Sequence, residues 1–199
     1  MDFVSISKKV LDIEIDALEK CRSNIPRYFP GCMKILLEST GKIVVVGIGK
    51  SGFIAKKIAA TLCSVGNPAV FLHPAEAMHG DLGIVGKEDV VIILSYSGET
   101  PEILKLIPAL KRNGNKIISI TNSLYSTLSK NSDSVLPMRL EREACSLNLA
   151  PTASSIAMLA IGDMIAIALM EVKGFTREDF AKFHPGGSLG KELLKNVNV

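Results

Sequence analysis

Short apolar runs alternate with segments of helical period through the middle of the chain. Ile43–Val46 is an unbroken β-branched run that ends in glycines, the pattern of a strand buried on both faces. Ser51–Ser64 follows with Ile54, Ile58, Ala59 and Leu62 at helical spacing. The rhythm then repeats. A strand at Ala69–Leu72 leads into a helical segment at Pro74–Leu82, and a strand at Val90–Leu94 into a helix at Pro101–Lys111. A strand at Lys116–Ile120 leads into a helix near Ser123–Ser129, and Ser134–Met138 is a weaker last strand. This alternation predicts an α/β fold: a five-stranded parallel sheet flanked by helices on both faces, a Rossmann-like three-layer arrangement.

The flanks are helical. Val4, Val10, Leu11, Ile13, Ile15 and Leu18 give residues 1–40 an apolar stripe, which Pro26 and Pro30 are expected to break. Ala153–Val172 is twenty mostly apolar residues, long enough for a membrane span. Asp163 at its centre would cost about 2.5–3.5 kcal/mol in a bilayer, so a buried core helix is expected and no membrane partner. Phe175–Phe183 and Ser188–Leu194 read as short closing helices. Without linker, repeat or low-complexity stretch, residues 1–199 read as one domain, a helical segment (1–40) and an α/β core (41–199).

Composition narrows the class. Hydrophobic residues make up 47% and charged residues 22% of the 199 positions, which excludes a disordered or collagen-like chain. The net charge of +3, with no Lys/Arg-dense stretch and no Trp, argues against a nucleic-acid partner. Cys21, Cys32, Cys63 and Cys145 are too far apart for a zinc knuckle and are expected to be buried free thiols in a reducing, cytoplasmic setting. Residues 1–16 mix acids and lysines with apolar residues and do not read as a secretory leader.

Candidate chemistry sits where strands pass into helices. Gly47-Ile-Gly-Lys-Ser-Gly52 fits GxGxxG, yet no acid ends the second strand to hold a ribose; the nearest is Glu76. A P-loop is also excluded, because Val44 stands where its first glycine belongs. A glycine turn with Lys50 at a helix N-terminus remains, and that is an anion site. Ser95-Tyr-Ser-Gly-Glu-Thr100 offers three hydroxyls around Gly98 in another strand-to-helix turn, which suits a phosphate monoester better than a simple cap. His73 and His79 follow a strand end, and His184 opens a Gly-rich turn; imidazoles near a phosphate suggest proton transfer. Glu143 follows the last strand, either as a site acid or as a solvated loop acid. Thr152, Ser154 and Ser155 cluster at the start of the long apolar helix.

Taken together, these strings resemble the sugar isomerase (SIS) family over nearly the whole chain. The resemblance rests on Gly47–Gly52, His73-Pro-Ala-Glu-Ala-Met-His-Gly-Asp-Leu-Gly83, Ser95–Thr100, Glu143-Ala-Cys145, Ala150-Pro-Thr-Ala-Ser-Ser155 and His184-Pro-Gly-Gly187. It implies an aldose–ketose isomerase of phosphorylated pentoses that interconverts D-ribulose 5-phosphate and D-arabinose 5-phosphate through a cis-enediol. The implied pathway makes 3-deoxy-D-manno-octulosonate for lipopolysaccharide or capsule. The implied catalytic set is Lys50, Glu102, Glu143 and His184; Glu102 is singled out by the resemblance alone. The implied substrate-binding set is Gly49, Ser51, His73, His79, Ser95, Ser97, Gly98, Thr100, Thr152 and Ser154. No cofactor and no obligatory metal are expected, although His73 is a candidate ligand for an inhibitory zinc ion.

In this reading Glu102 or Glu143 is the base and His184 the acid, while His79 or His184 assists ring opening. Lys50 offsets charge on the phosphate or the developing enediolate. Two features depart from the family pattern. Tyr96 stands where a small polar residue is expected. The sequence also stops at Val199, where many members continue into paired cystathionine-β-synthase (CBS) domains, so regulation through those is not expected. The family implies a homotetramer built from dimers, and the N-terminal stripe offers apolar surface for it. Two alternatives stay open: a non-catalytic phosphosugar sensor, and an isomerase for another sugar phosphate.

Overall fold

A computed structural model describes residues 2–186; the expected helix at Ser188–Leu194 lies outside the described residues. The elements run α1 (Phe3–Glu38), β1 (Ile43–Val46), α2 (Gly49–Ser64), β2 (Ala69–Leu72), α3 (Pro74–Ala77), a 3-10 turn (Asp81–Ile84), β3 (Val90–Leu94) and α4 (Pro101–Asn113). Then come β4 (Lys116–Thr121), α5 (Thr127–Lys130), β5 (Ser134–Pro137), α6 (Ala153–Val172) and α7 (Arg177–Phe183). The five strands are parallel in the order β2-β1-β3-β4-β5. The chain steps outward from β1 to β2, returns across β1 to β3, and then proceeds outward again.

Side-chain alternation divides the core in two. Ile43, Val45, Ile92, Leu94, Ile118 and Ile120 pack under α1, α2 and α6. Val44, Val46, Val91, Ile93 and Ile117 pack under α4 and α5. Neither face of β1 or β3 reaches water, which is why those strands read as continuous apolar runs.

Several local expectations are corrected. Pro26 and Pro30 do not break the first helix; α1 runs unbroken through both. Each proline lacks the N–H that would bond the carbonyl four residues back, a loss of about 3 kcal/mol or more. Packing offsets it: Cys21, Cys32, Met33 and Leu36 are buried in the core, and Asn24 Nδ2 donates to the Pro137 carbonyl at 3.1 Å. The first turns of α1 lie outside this packing, and Val4, Leu11 and Ile15 remain exposed. The segment from Pro74 is a single short turn followed by a separate 3-10 turn, because Gly80 interrupts it with φ +127°. The helix expected near Ser123 starts only at Thr127, with the Ser126 hydroxyl as its cap. Only two of the four cysteines are buried: burial pushes the Cys21 thiol up to about 11 and that of Cys32 up to about 12. Cys63 is exposed and Cys145 half-buried, and all four are free.

The apolar segment at 153–172 is a core helix. α6 buries Ala157, Ile161, Ile165 and Leu169 against its neighbours, and Asp163 pairs with Lys57 of α2 at 2.6 Å. Gly162 permits the close crossing of α6 over α2, since a Cβ there would lie 2.3 Å from Ile58 Cγ1. Gly162→Ala should therefore destabilise the protein by about 1–3 kcal/mol, the usual cost of overpacking. Urea denaturation checks this; an unchanged midpoint would show that the crossing has slack.

Candidate active site

In a parallel sheet with this strand order, the crevice lies outside the carboxyl ends of β1 and β3, where the connections part to opposite faces. The turns that follow these strands carry two of the sequence motifs. After β1, Gly49 turns the chain at φ +59° and Lys50 is the second residue of α2. After β3, Gly98 turns at φ +67° and Glu102 is the second residue of α4. Lys50 is exposed, whereas Ser51 and Glu102 are half-buried.

The two helix N-termini share a property that α1, α5 and α7 lack. Asp2, Ser126 and Thr176 cap those three through side-chain oxygens. Neither Ile48 before α2 nor Thr100 before α4 supplies a side-chain cap. In α2 the first-turn amides have no capping side chain, whereas in α4 Pro101 has no N–H and the Ile103 N–H bonds the Thr100 carbonyl, which leaves the Glu102 N–H; such amides at the positive ends of two helices suit an anionic group.

Hydrogen bonds set the shape of the 95–100 turn. Buried Ser95 Oγ lies 3.0 Å from Thr100 Oγ1 and accepts the Gly98 N–H at 3.1 Å. Ser97 is exposed and its Oγ accepts the Glu99 N–H at 3.1 Å. The three hydroxyls thus build the loop, and Thr100 does not act as a cap. Glu99 ties the turn to α5: its carboxylate accepts the Thr127 N–H at 2.7 Å, which holds its pKa below the usual range.

Glu143 is a buried carboxylate, 6% exposed, and the solvated-loop alternative falls. Its Oε2 accepts from Thr152 N at 2.8 Å, Ser154 N at 3.1 Å and Thr152 Oγ1 at 3.2 Å, so it occupies the N-terminus of α6. Thr152 and Ser154 are therefore engaged with Glu143. Burial pushes the Tyr96 phenol up, and the Glu143 charge adds to this. Asn122, which the sequence reading did not single out, ties these parts together. Its N–H donates to the Tyr96 carbonyl at 3.0 Å, and its side chain donates to Leu140 O at 3.0 Å while accepting Leu140 N–H at 2.6 Å. Its only sequence signal is its position one residue past the end of β4.

His73 ends β2 at the same edge, beside a cleft of about 530 Å³ lined by Phe71, Leu72, Gly80, Asp81, Gly83 and Ile84. Its Nδ1 is buried without a partner among the described residues. His79 is exposed in the turn that follows. Among the described residues no three His, Cys, Asp or Glu side chains gather as a metal site, so a zinc ion at His73 would need ligands from elsewhere.

His184 is not brought to this edge within one chain. α6 starts at the carboxyl edge and runs back past the sheet for about 30 Å. Beyond its end, Lys173 Nζ donates to Asn67 Oδ1 at 2.7 Å, and Phe175 packs against Gly66, both just before β2. His184 then ends α7, stacked on Phe180 at 3.8 Å, with its Nδ1 2.9 Å from the Phe180 carbonyl.

The SIS domain family model matches residues 36–168. The chain is 48% identical over 197 residues to the arabinose 5-phosphate isomerase KdsD of Pseudomonas aeruginosa, covering 99% of this chain and 60% of that protein. It is 51% identical over 165 residues to KpsF, an arabinose 5-phosphate isomerase of Escherichia coli, covering 83% of this chain and 50% of the relative. The chain thus spans about half to three-fifths of the length of these relatives. Among solved structures, the c3406 protein of E. coli CFT073 in complex with arabinose 5-phosphate matches with a TM-score of 0.87 at 44% identity, over 93% of this chain and all of that one.

The turn after β3 can be tested directly. A Cβ on Gly98 would lie 2.2 Å from Ser126 Oγ, in a backbone conformation that costs a non-glycine residue about 1–3 kcal/mol. Gly98→Ala should weaken binding of inorganic phosphate about tenfold or more, read by calorimetry, while the circular dichroism spectrum is retained. Unchanged phosphate affinity would remove this turn from the anion site.

Proposed function

The chain belongs to the SIS domain family, and we propose that it interconverts D-arabinose 5-phosphate and D-ribulose 5-phosphate as a cytoplasmic aldose–ketose isomerase. The product direction to arabinose 5-phosphate would feed synthesis of 3-deoxy-D-manno-octulosonate. The observation that carries the reading is the gathering at one sheet edge of two uncapped helix N-termini with Lys50, Glu102 and Glu143 on the flanking turns. The 44%-identical structure in complex with arabinose 5-phosphate supports that sugar phosphate as the ligand.

The chemistry is a proton transfer between C1 and C2. The phosphate docks on the amides and hydroxyls of the 49–51 and 95–100 turns, which orients the sugar. Once the ring has opened, a glutamate removes the proton from C2 of the aldose. The C–H electron pair forms the C1=C2 bond as O1 takes a proton, giving the cis-enediol. The O2 proton then leaves, C2 becomes the carbonyl, and C1 is protonated to give the ketose. Lys50 offsets the charge that develops on oxygen, and His184 moves protons between O1 and O2.

Within one chain His184 stands at the opposite edge, so the reading requires the site to be completed by His184 of another copy. The exposed apolar face of α1 gives such copies a surface to share. The homotetramer of dimers implied by the family resemblance fits this need.

Glu102→Gln, Glu143→Gln and His184→Ala should each lower kcat by about 10²–10⁴-fold. The assay is exchange of the transferred proton in D₂O with chelator present, followed by NMR. Near-normal turnover in all three variants would overturn the assignment, and saturable binding without exchange in the native protein would point to a sensor. Mixing Glu143→Gln with His184→Ala, under conditions where subunits exchange, should restore activity that neither variant has alone. Absence of recovery after demonstrated subunit exchange would refute a site shared between copies.

A further inference from the structure

We infer that Thr152 is a positioning residue for Glu143 rather than a ligand of the sugar phosphate; this rests on the isomerase reading above. The side chain is occupied on both sides. Its Oγ1 accepts the Ala144 N–H at 2.9 Å, and the same hydroxyl donates to Glu143 Oε2 at 3.2 Å. The Thr152 backbone N–H donates to that oxygen at 2.8 Å. One residue therefore grips both the glutamate carboxylate and the peptide that follows it. A hydroxyl has a single proton to give, and here Glu143 takes it.

The clamp has a consequence for the carboxylate. Oε2 already accepts three hydrogen bonds, with the Ser154 N–H as the third. Oε1 is left as the oxygen that can face a substrate. Asn148 supports the arrangement from behind: its Oδ1 accepts the Glu143 N–H at 2.7 Å, and its backbone holds φ +56° to do so. A carboxylate held by its main chain on one side and by Oε2 on the other keeps Oε1, which has no hydrogen-bond partner among the described residues, in one place, as proton transfer at carbon demands.

Two kinds of variant separate positioning from ligation. Thr152→Val keeps the shape and removes the hydroxyl, while Thr152→Ser keeps the hydroxyl. Thr152→Val should lower kcat by up to about 10²-fold, the scale of a small misplacement of a catalytic group. Its KM for arabinose 5-phosphate should stay within about threefold of the native value, and Thr152→Ser should recover most of the activity. A raised KM with unchanged kcat, or no rescue by serine, would overturn the proposal. Should Thr152→Val fail to fold, Thr152→Ala, which leaves room for water at the Ala144 N–H, takes its place with the same expectations.

A second measurement does not depend on turnover. Hydrogen exchange of the Ala144 amide should speed up about tenfold or more in the hydroxyl-less variant and match the native protein in Thr152→Ser. Unchanged exchange would remove the clamp. If the native protein isomerises no sugar phosphate while exchange behaves as expected, the functional reading fails and the clamp stands.

Discussion

The buried parallel sheet is the constraint from which the rest follows. Every strand points the same way, so every strand-to-helix turn falls at one edge and every helix-to-strand turn at the other. That alone puts Gly49, Lys50, His73, Ser95 and Glu102 on a common rim, though they are spread over more than fifty residues of sequence. The reversal of strand order at β1 and β3 then opens that rim at one place. The alternation of Val44 and Val46 with Ile43 and Val45, toward opposite layers, requires helices on both faces, and this makes the reversal possible.

The protein treats its helix N-termini unequally, and the uncapped pair lies at the rim where the substrate is proposed to bind. Capping a helix is worth about 0.5–2 kcal/mol. α1, α5 and α7 have side-chain caps, although two of those helices are short. α6 is covered by Glu143 itself, which gives a buried carboxylate the partners it needs. α2 and α4, both long enough to benefit, forgo a cap at the rim where an anion is proposed to bind. The Thr100 hydroxyl turns instead to Ser95, which stiffens the loop; Pro101 has no N–H and the Ile103 N–H bonds the Thr100 carbonyl, so the Glu102 N–H is the first-turn amide of α4 left to a ligand.

What was legible in the sequence was what local chemistry decides. The buried strands, the glycine turns at Gly49 and Gly98, and the span of α6 follow from β-branched runs, from backbone geometry and from apolar length. Long-range packing decided the rest. Nothing near Pro26 and Pro30 shows that the core contacts of Cys21, Cys32, Met33 and Leu36 will carry the helix through them. Nothing beside Glu143 shows that a helix beginning at Ala153 will bury its carboxylate. Asn122 passes for an ordinary turn residue because its two partners, Tyr96 and Leu140, lie 26 residues before it and 18 after. The separation of His184 from the rim depends on which edge α6 ends at, and only the topology decides that.

The length of α6 links the two halves of the proposed site. Its first turn holds Glu143, and its far end, about 30 Å away, delivers α7 and His184 to the opposite edge. A monomer therefore carries both halves of the proposed chemistry and can join neither. A closed symmetric pair removes the difficulty, because in an isologous contact whatever one copy lends to its neighbour it also receives. Each association would then complete two sites or none, and turnover would depend on protein concentration in the range where copies separate. The apolar positions Val4, Leu11 and Ile15, which cost stability while exposed on α1, would be the surface that holds the copies together and thereby makes the site whole.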